Sequence, residues 1–206
     1  AARQIDNQAS GVIQSGQSTQ LSADNITNRG LINSNGLTHL SSLNTLTNTG
    51  TGRIYGDHVA LSAQDVVNKE ETANGETKAG VIAARERLDI GAKTIQNLGS
   101  GFNRIENGQA VQGTSSLISS EGTLHIGGQL NEQHQAVGTA DNLTNISARI
   151  ESAGHAHIGS KTLSNQNSDF SVETYLAEQT PQIRDYARSG ENIYYQAGKD
   201  GEFDEY

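Results

Sequence analysis

One pattern dominates this chain: an aliphatic residue with an Asn close behind it, then Gly, then x-Ile-x-Ser, then a second aliphatic residue eight positions after the Ile. It recurs about every twenty residues. The plainest copy is Ile26, Asn28, Gly30, Ile32, Ser34 and Leu40. The eight-residue step returns as Ile13/Leu21, Ile82/Ile90, Ile118/Ile126 and Ile150/Ile158, and Ile54/Leu61 is one residue shorter. The Asn signature reads Ile5/Asn7, Ile26/Asn28, Leu46/Asn48, Val66/Asn68, Ile95/Asn97, Leu130/Asn131 and Leu163/Asn165, which makes six full units and the start of a seventh.

Apolar residues spaced i, i+2 and i+8 do not trace one face of a helix, which needs i, i+3, i+4 and i+7. They fit two or three short strands per unit, separated by polar corners. A unit of that size has no core of its own, so it must stack on its neighbours, with like strands pairing in parallel about 4.8 Å apart. The expected fold is therefore all-β: a right-handed parallel β-helix, or solenoid, of six to seven rungs over 1–168. Inward aliphatics from Ile13 to Ile150, Ile158 and Leu163 would stack in columns, the Asn residues would form an amide ladder at a corner, and the recurring Gly would supply positive φ. Composition agrees: 33% hydrophobic and 4% aromatic residues suit a thin, repetitive core better than a thick one.

Counted Asn to Asn, the units are 21, 20, 20, 29, 34 and 34 residues long, so the last three carry extra material. The insertions are read as 69–79, 99–116 and 132–147, each between the Asn and the following Ile, as surface loops or hairpins. Material inserted at one point of a repeat emerges on one face, often a binding face. Beyond Asn165 the repeat stops. Five of the six Tyr, two of the three Phe and the single Pro fall there, and 161–206 holds nine acids against four bases. The segment 169–206 is expected to be an aromatic, acidic cap or connector over the last unit, with 172–188 a possible short helix broken at Thr180-Pro181; its alternative role is a recognition surface. Candidate binding residues are Phe102, Arg104, Glu106, His134 and Asp141 in the insertions and Tyr175, Tyr186, Tyr194 and Tyr195 in the tail.

A formal net charge of −9 argues against nucleic acid as a partner. With no Cys there is no disulfide or thiolate metal site in this chain. A start at Ala1-Ala2-Arg3, with no apolar run of about 18 residues, is read as an internal piece without a signal peptide or membrane span. His155-Ala156-His157 has chelating spacing but no third ligand nearby, the other four His are scattered along the chain, and no metal or cofactor is expected. Some β-helices are polysaccharide lyases or hydrolases, which need carboxylates converging on one face. The outward positions Gln14, Asn33, Tyr55, Ala83, Ser119 and Glu151 are mostly neutral, and Arg85/Glu86/Arg87 reads as a solvated edge, so catalysis is not expected. A β-helical carbohydrate-active enzyme is the alternative.

Units such as Ile26-Thr27-Asn28-Arg29-Gly30-Leu31-Ile32-Asn33-Ser34 and Leu124-His125-Ile126-Gly127-Gly128 resemble the repeats of filamentous-haemagglutinin-like exoproteins of Gram-negative two-partner secretion systems. The resemblance covers about 4–168. It implies an internal, monomeric segment of a longer filament, secreted or displayed at the cell surface. Export would use an outer-membrane transporter, and the segment would serve adhesion or contact-dependent growth inhibition by meeting an outer-membrane protein or glycan receptor on a target cell. The repeat brings no catalytic residues with it.

Overall fold

The structure is a computed structural model that describes residues 2–101, 104–106, 109–111, 113–168, 186–187, 194–197 and 203–205. All regular structure in the described residues is β: β1 (Ala2–Asn7), β2 (Val12–Ser15), β3 (Thr19–Asn28), β4 (Leu31–Ser34), β5 (Leu37–Ser42), β6 (Thr45–Thr49), β7 (Arg53–Ala73), β8 (Glu76–Ala79), β9 (Val81–Leu98), β10 (Arg104–Glu106), β11 (Gln109–Val111), β12 (Leu117–Ser120), β13 (Thr123–Gly127), β14 (Gln129–Leu130), β15 (Ala136–Val137), β16 (Ala140–Ile146), β17 (Arg149–Ser152), β18 (Ala156–Ile158), β19 (Ser160–Gln166), β20 (Tyr186–Ala187), β21 (Tyr194–Ala197) and β22 (Phe203–Glu205). None of them is a helix long and apolar enough to cross a membrane. The chain forms two compact units, Ala1–Phe170 and Ser171–Tyr206.

Within the first unit the strands pair in three parallel ladders, each advancing one copy of the repeat per step. The first aligns Ile5, Ile26, Leu46, Val66, Ile95, Leu143 and Leu163. The second aligns Ile13, Ile32, Ile54, Ile82, Ile118 and Ile150. The third aligns Leu21, Leu40, Leu61, Ile90, Ile126 and Ile158. Side chains alternate in and out along each strand, so a register set by one aliphatic residue sets the whole strand. Residues from all three ladders form one buried cluster, in which Ile32, Leu40, Leu46, Ile54, Ile82 and Ile95 are fully buried. Each buried aliphatic contributes about 1.5–3 kcal/mol. Among the described residues no strand pairs beyond β18 and β19 in the ladders, and Ile158 and Leu163 are 38% and 55% exposed where Ile126 and Leu143 are 1%.

The Asn residues form the expected amide ladder. The Nδ2 of Asn7 donates to Oδ1 of Asn28 at 2.8 Å, and the relay continues through Asn48, Asn68, Asn97 and Asn145 to Asn165 at 2.7–2.9 Å. From Asn7 to Asn145 each amide also donates to a backbone carbonyl of the adjoining corner, as Asn68 does to Gly80 at 3.1 Å and to Leu117 at 3.0 Å. The strand spacing of a parallel ladder leaves one hydrogen-bond length between successive amides, so each buried amide is satisfied by its neighbour.

Three expectations are corrected. The sixth ladder Asn is Asn145, reached through Leu143 and Thr144, and not Asn131. The third insertion is consequently 128–139 and not 132–147, and it leaves from a different corner, between the third ladder and the first. The insertions therefore do not share one point of the repeat. The recurring Gly residues also act differently: Gly11, Gly30, Gly52 and Gly80 do not have positive φ. They are small because an Asn amide fills the corner, leaving a Cβ on Gly52 or Gly80 only 2.4 Å from the Oδ1 of Asn48 or Asn68.

The first insertion extends β7 into an antiparallel hairpin with β8, turned at Asn74 and Gly75 with φ of 53° and 79°. Two consecutive positive φ values suit Asn-Gly. Arg29 reaches this hairpin, donating from Nε and Nη2 to the carboxylate of Glu71 at 2.9–3.1 Å. The second insertion contains the antiparallel pair β10 and β11. In the second compact unit β20, β21 and β22 form an antiparallel sheet.

Candidate functional site

The third ladder carries an unusual column on its outward side. One residue before each inward aliphatic, the register lines up Gln20, His39, Ala60, Asp89, His125 and His157. The column beside it aligns Leu37, His58, Arg87 and Thr123. Parallel pairing alone thus places four imidazoles, a guanidinium and a carboxylate on one face.

The 128–139 insertion covers part of that face. It leaves β13 at Gly127 and Gly128, pairs β14 with β15 antiparallel, and runs back along the stack. Its backbone crosses so close to Gly91 that a Cβ there would lie 2.3 Å from the carbonyl carbon of Gln129. The tip is organised by Asn131, whose Oδ1 accepts from the N–H of Gln133 at 3.0 Å and of Gln135 at 2.9 Å. That arrangement turns the chain through His134 at φ 59° and sets its ring on His39, with centroids 4.2 Å apart. Asn131, expected in the ladder, is the turn residue of this hairpin. Beneath the hairpin Ala60 is fully buried although it points outward.

Asp89 is the anchor. Its side chain is 0% exposed. Oδ2 accepts from Nε2 of His58 at 2.9 Å and from Nε of Arg87, while Oδ1 accepts from Nη2 of Arg87 at 2.9 Å and from the N–H of Ala136 at 2.7 Å. Burial pushes the carboxyl up, but the bonds from His58, Arg87 and Ala136 outweigh it and hold it down at about 2. An ionised carboxylate only accepts, so Nε2 of His58 carries the proton in this bond. Four donors occupy both oxygens, which makes Asp89 a clamp between two columns and the hairpin and leaves it no reach to a substrate. Arg87 is raised by its bond to the same carboxylate. It is half-buried, not the solvated edge expected from the sequence. Burial lowers His39, helped by the proximity of His134 and His58. His125 is lowered by burial and by Arg87, against an opposing pull from Asp89, with His157 adding a smaller push. The rings of His125 and His157 stand 5.9 Å apart. Among the described residues no group of three or more His, Asp or Glu is arranged to hold a metal ion.

Of the residues named from sequence, His134 joins this cluster. Asp141 does not lie in an insertion: it sits on ladder strand β16, where Nζ of Lys161 donates to it at 2.6 Å and lowers it. Arg104 and Glu106 fall on β10, opposite Val111 and Gln109. Tyr186 pairs with Tyr195, and Tyr194 with Ala187, in the sheet of the second unit. Phe102, Tyr175 and most of 172–188 lie outside the described residues. His39, His58, His125 and His134 are scattered along the chain, and the structure gathers all four. Their signal was available: aligning the units on the second aliphatic residue puts His at the preceding position in three of six copies.

No family model, curated protein or solved structure matches this chain.

Proposed function

We propose that this chain is a right-handed parallel β-helix and a structural and binding segment of a bacterial surface-exposed filamentous exoprotein, secreted by a Gram-negative cell through an outer-membrane partner. It extends from the cell and contributes to adhesion or receptor recognition on target cells, as a monomeric stretch of a longer filament. The observation that carries this reading is the unbroken amide relay from Asn7 to Asn165. A relay with a donor left over at one end and an acceptor at the other suits a stack built to lengthen by adding units. The hairpins at 70–79 and 128–139 decorate two sides of that stack and supply non-repeating surface, which is where a specific partner would be read.

The test immobilises the chain and presents detergent-solubilised outer-membrane proteins from Gram-negative cells and, separately, a glycan array. Saturable retention of a defined protein or glycan, lost when 70–79 or 128–139 is replaced by a short turn, supports a binding segment. Retention that survives both replacements places binding elsewhere on the stack. Turnover of any glycan across the array would overturn the reading in favour of a carbohydrate-active enzyme.

A further inference from the structure

The hairpin at 128–139 is held to the stack by two features that respond to acid in different pH ranges. One is the bond from the N–H of Ala136 to the buried carboxylate of Asp89. The other is the contact of His134 with His39, two imidazoles with ring centroids 4.2 Å apart. We propose that this hairpin is an acid-released strap: a proton taken up by His39 beneath it pushes it off Asp89 and uncovers the outward face of the third ladder. The proposal does not depend on which partner the protein binds.

The surroundings decide the direction. His39 on β5, His58 on β7, His125 on β13 and His157 on β18 share the face with Arg87 and Asp89 on β9. The hairpin itself contributes His134 and the exposed Glu132. Beyond Ala140, Asp141 is already paired with Lys161. Among the described residues Asp89 is the carboxylate that the bonds of this cluster reach, and Arg87 and His58 have saturated it. A proton on His39 therefore meets the imidazole of His134 and the guanidinium of Arg87 on the same face, while the carboxylate of Asp89 is already occupied and Glu132 is exposed to solvent. Neutral rings pack, and charged rings repel.

The sign follows from linkage. Burial, followed by His134 and His58, lowers His39 below its ordinary 6.5 while the hairpin is closed. Opening releases that constraint and takes up a proton, so closure is intact above 6.5 and is lost as pH falls below it. Asp89, held at about 2, stays ionised through this window and keeps its bonds to Arg87. The opening is therefore local to the hairpin and leaves the ladders standing.

Hydrogen exchange of the intact chain, each amide corrected for its intrinsic rate, tests this. Between pH 7.5 and 5.5 the protection of Ala136 and Gln135 should fall, by at most about tenfold for one imidazole that regains its ordinary value on opening, while ladder amides such as Val66 hold theirs. His39→Gln, borrowing the residue that Gln20 places in the same column, combined with His134→Asn, which tolerates positive φ, should flatten the profile. His39→Gln alone should reduce it. Protection of Ala136 that does not change with pH, that falls equally in the double variant, or that falls together with the ladder amides would each overturn the strap.

Discussion

The N–H of Ala136 donates to Oδ1 of Asp89 at 2.7 Å across 47 residues of sequence, tying the hairpin at 128–139 to the third ladder. Because Asp89 is also bound by His58 and Arg87, one carboxylate joins two outward columns and an insertion. Removing a partner from a buried pair leaves the others uncompensated and costs about 3–5 kcal/mol. Asp89→Asn keeps the shape but places an NH2 group where a carboxylate oxygen accepted from two of the four donors. It is expected to destabilise by that order at pH 7, seen as a lower urea midpoint and a loss of Ala136 protection.

The same residue sets an acid limit. Asp89 is ordinarily near 3.8 and is held at about 2 in the fold, so the native state favours its charged form. Its contribution, about 2 kcal/mol, is present above 3.8 and is lost as pH falls towards 2. Urea midpoints followed between pH 5 and 2 should decline in the native chain, with a shallower decline in Asp89→Asn.

Asn68 tests the amide relay. It is fully buried, accepts from Asn48 and donates to Asn97, Gly80 and Leu117. Asn68→Ala leaves several of those groups buried and unpaired, at about 1–3 kcal/mol each for groups that find no water. A loss of about 2–4 kcal/mol in urea unfolding is expected. Asn68→Asp should be at least as damaging, because it presents a second acceptor to the carbonyls of Gly80 and Leu117.

Two glycines separate close packing from open space. A Cβ on Gly122 would lie 1.9 Å from the carbonyl oxygen of Glu86 in the preceding copy, whereas one on Gly16 would meet nothing within 4 Å. Gly122→Ala should cost about 1–3 kcal/mol as the corner is forced outward. Gly16→Ala should leave the urea midpoint unchanged or raise it slightly by restricting the unfolded chain.

Core columns and surface apolars should behave differently. Ile82 is fully buried between Ile54 and Ile118, and Leu43 is 67% exposed at a corner. Ile82→Ala is expected to cost about 2–5 kcal/mol and Leu43→Ala about 0.5 kcal/mol or less, both read from far-UV circular dichroism in urea.

The sequence by itself determined the β class, the parallel stacking of about twenty-residue copies and the inward aliphatic columns from Ile13 to Ile150. Each follows from spacing along the chain, and a two-residue alternation leaves little freedom once one aliphatic per strand is placed inward. The first five members of the Asn ladder were legible for the same reason. The sixth was not: Leu130-Asn131 and Leu143-Thr144-Asn145 both offer an aliphatic residue and an Asn, and only pairing with Ile95 and Asn97 selects the second. With that choice Asn131 became a turn residue and 128–139 a hairpin. Only the tertiary structure could place that hairpin over Asp89, because its contacts run across the stack to residues from other copies. Local spacing fixes how a strand faces its neighbour, whereas the path of an insertion over the surface is fixed by the groups it meets there.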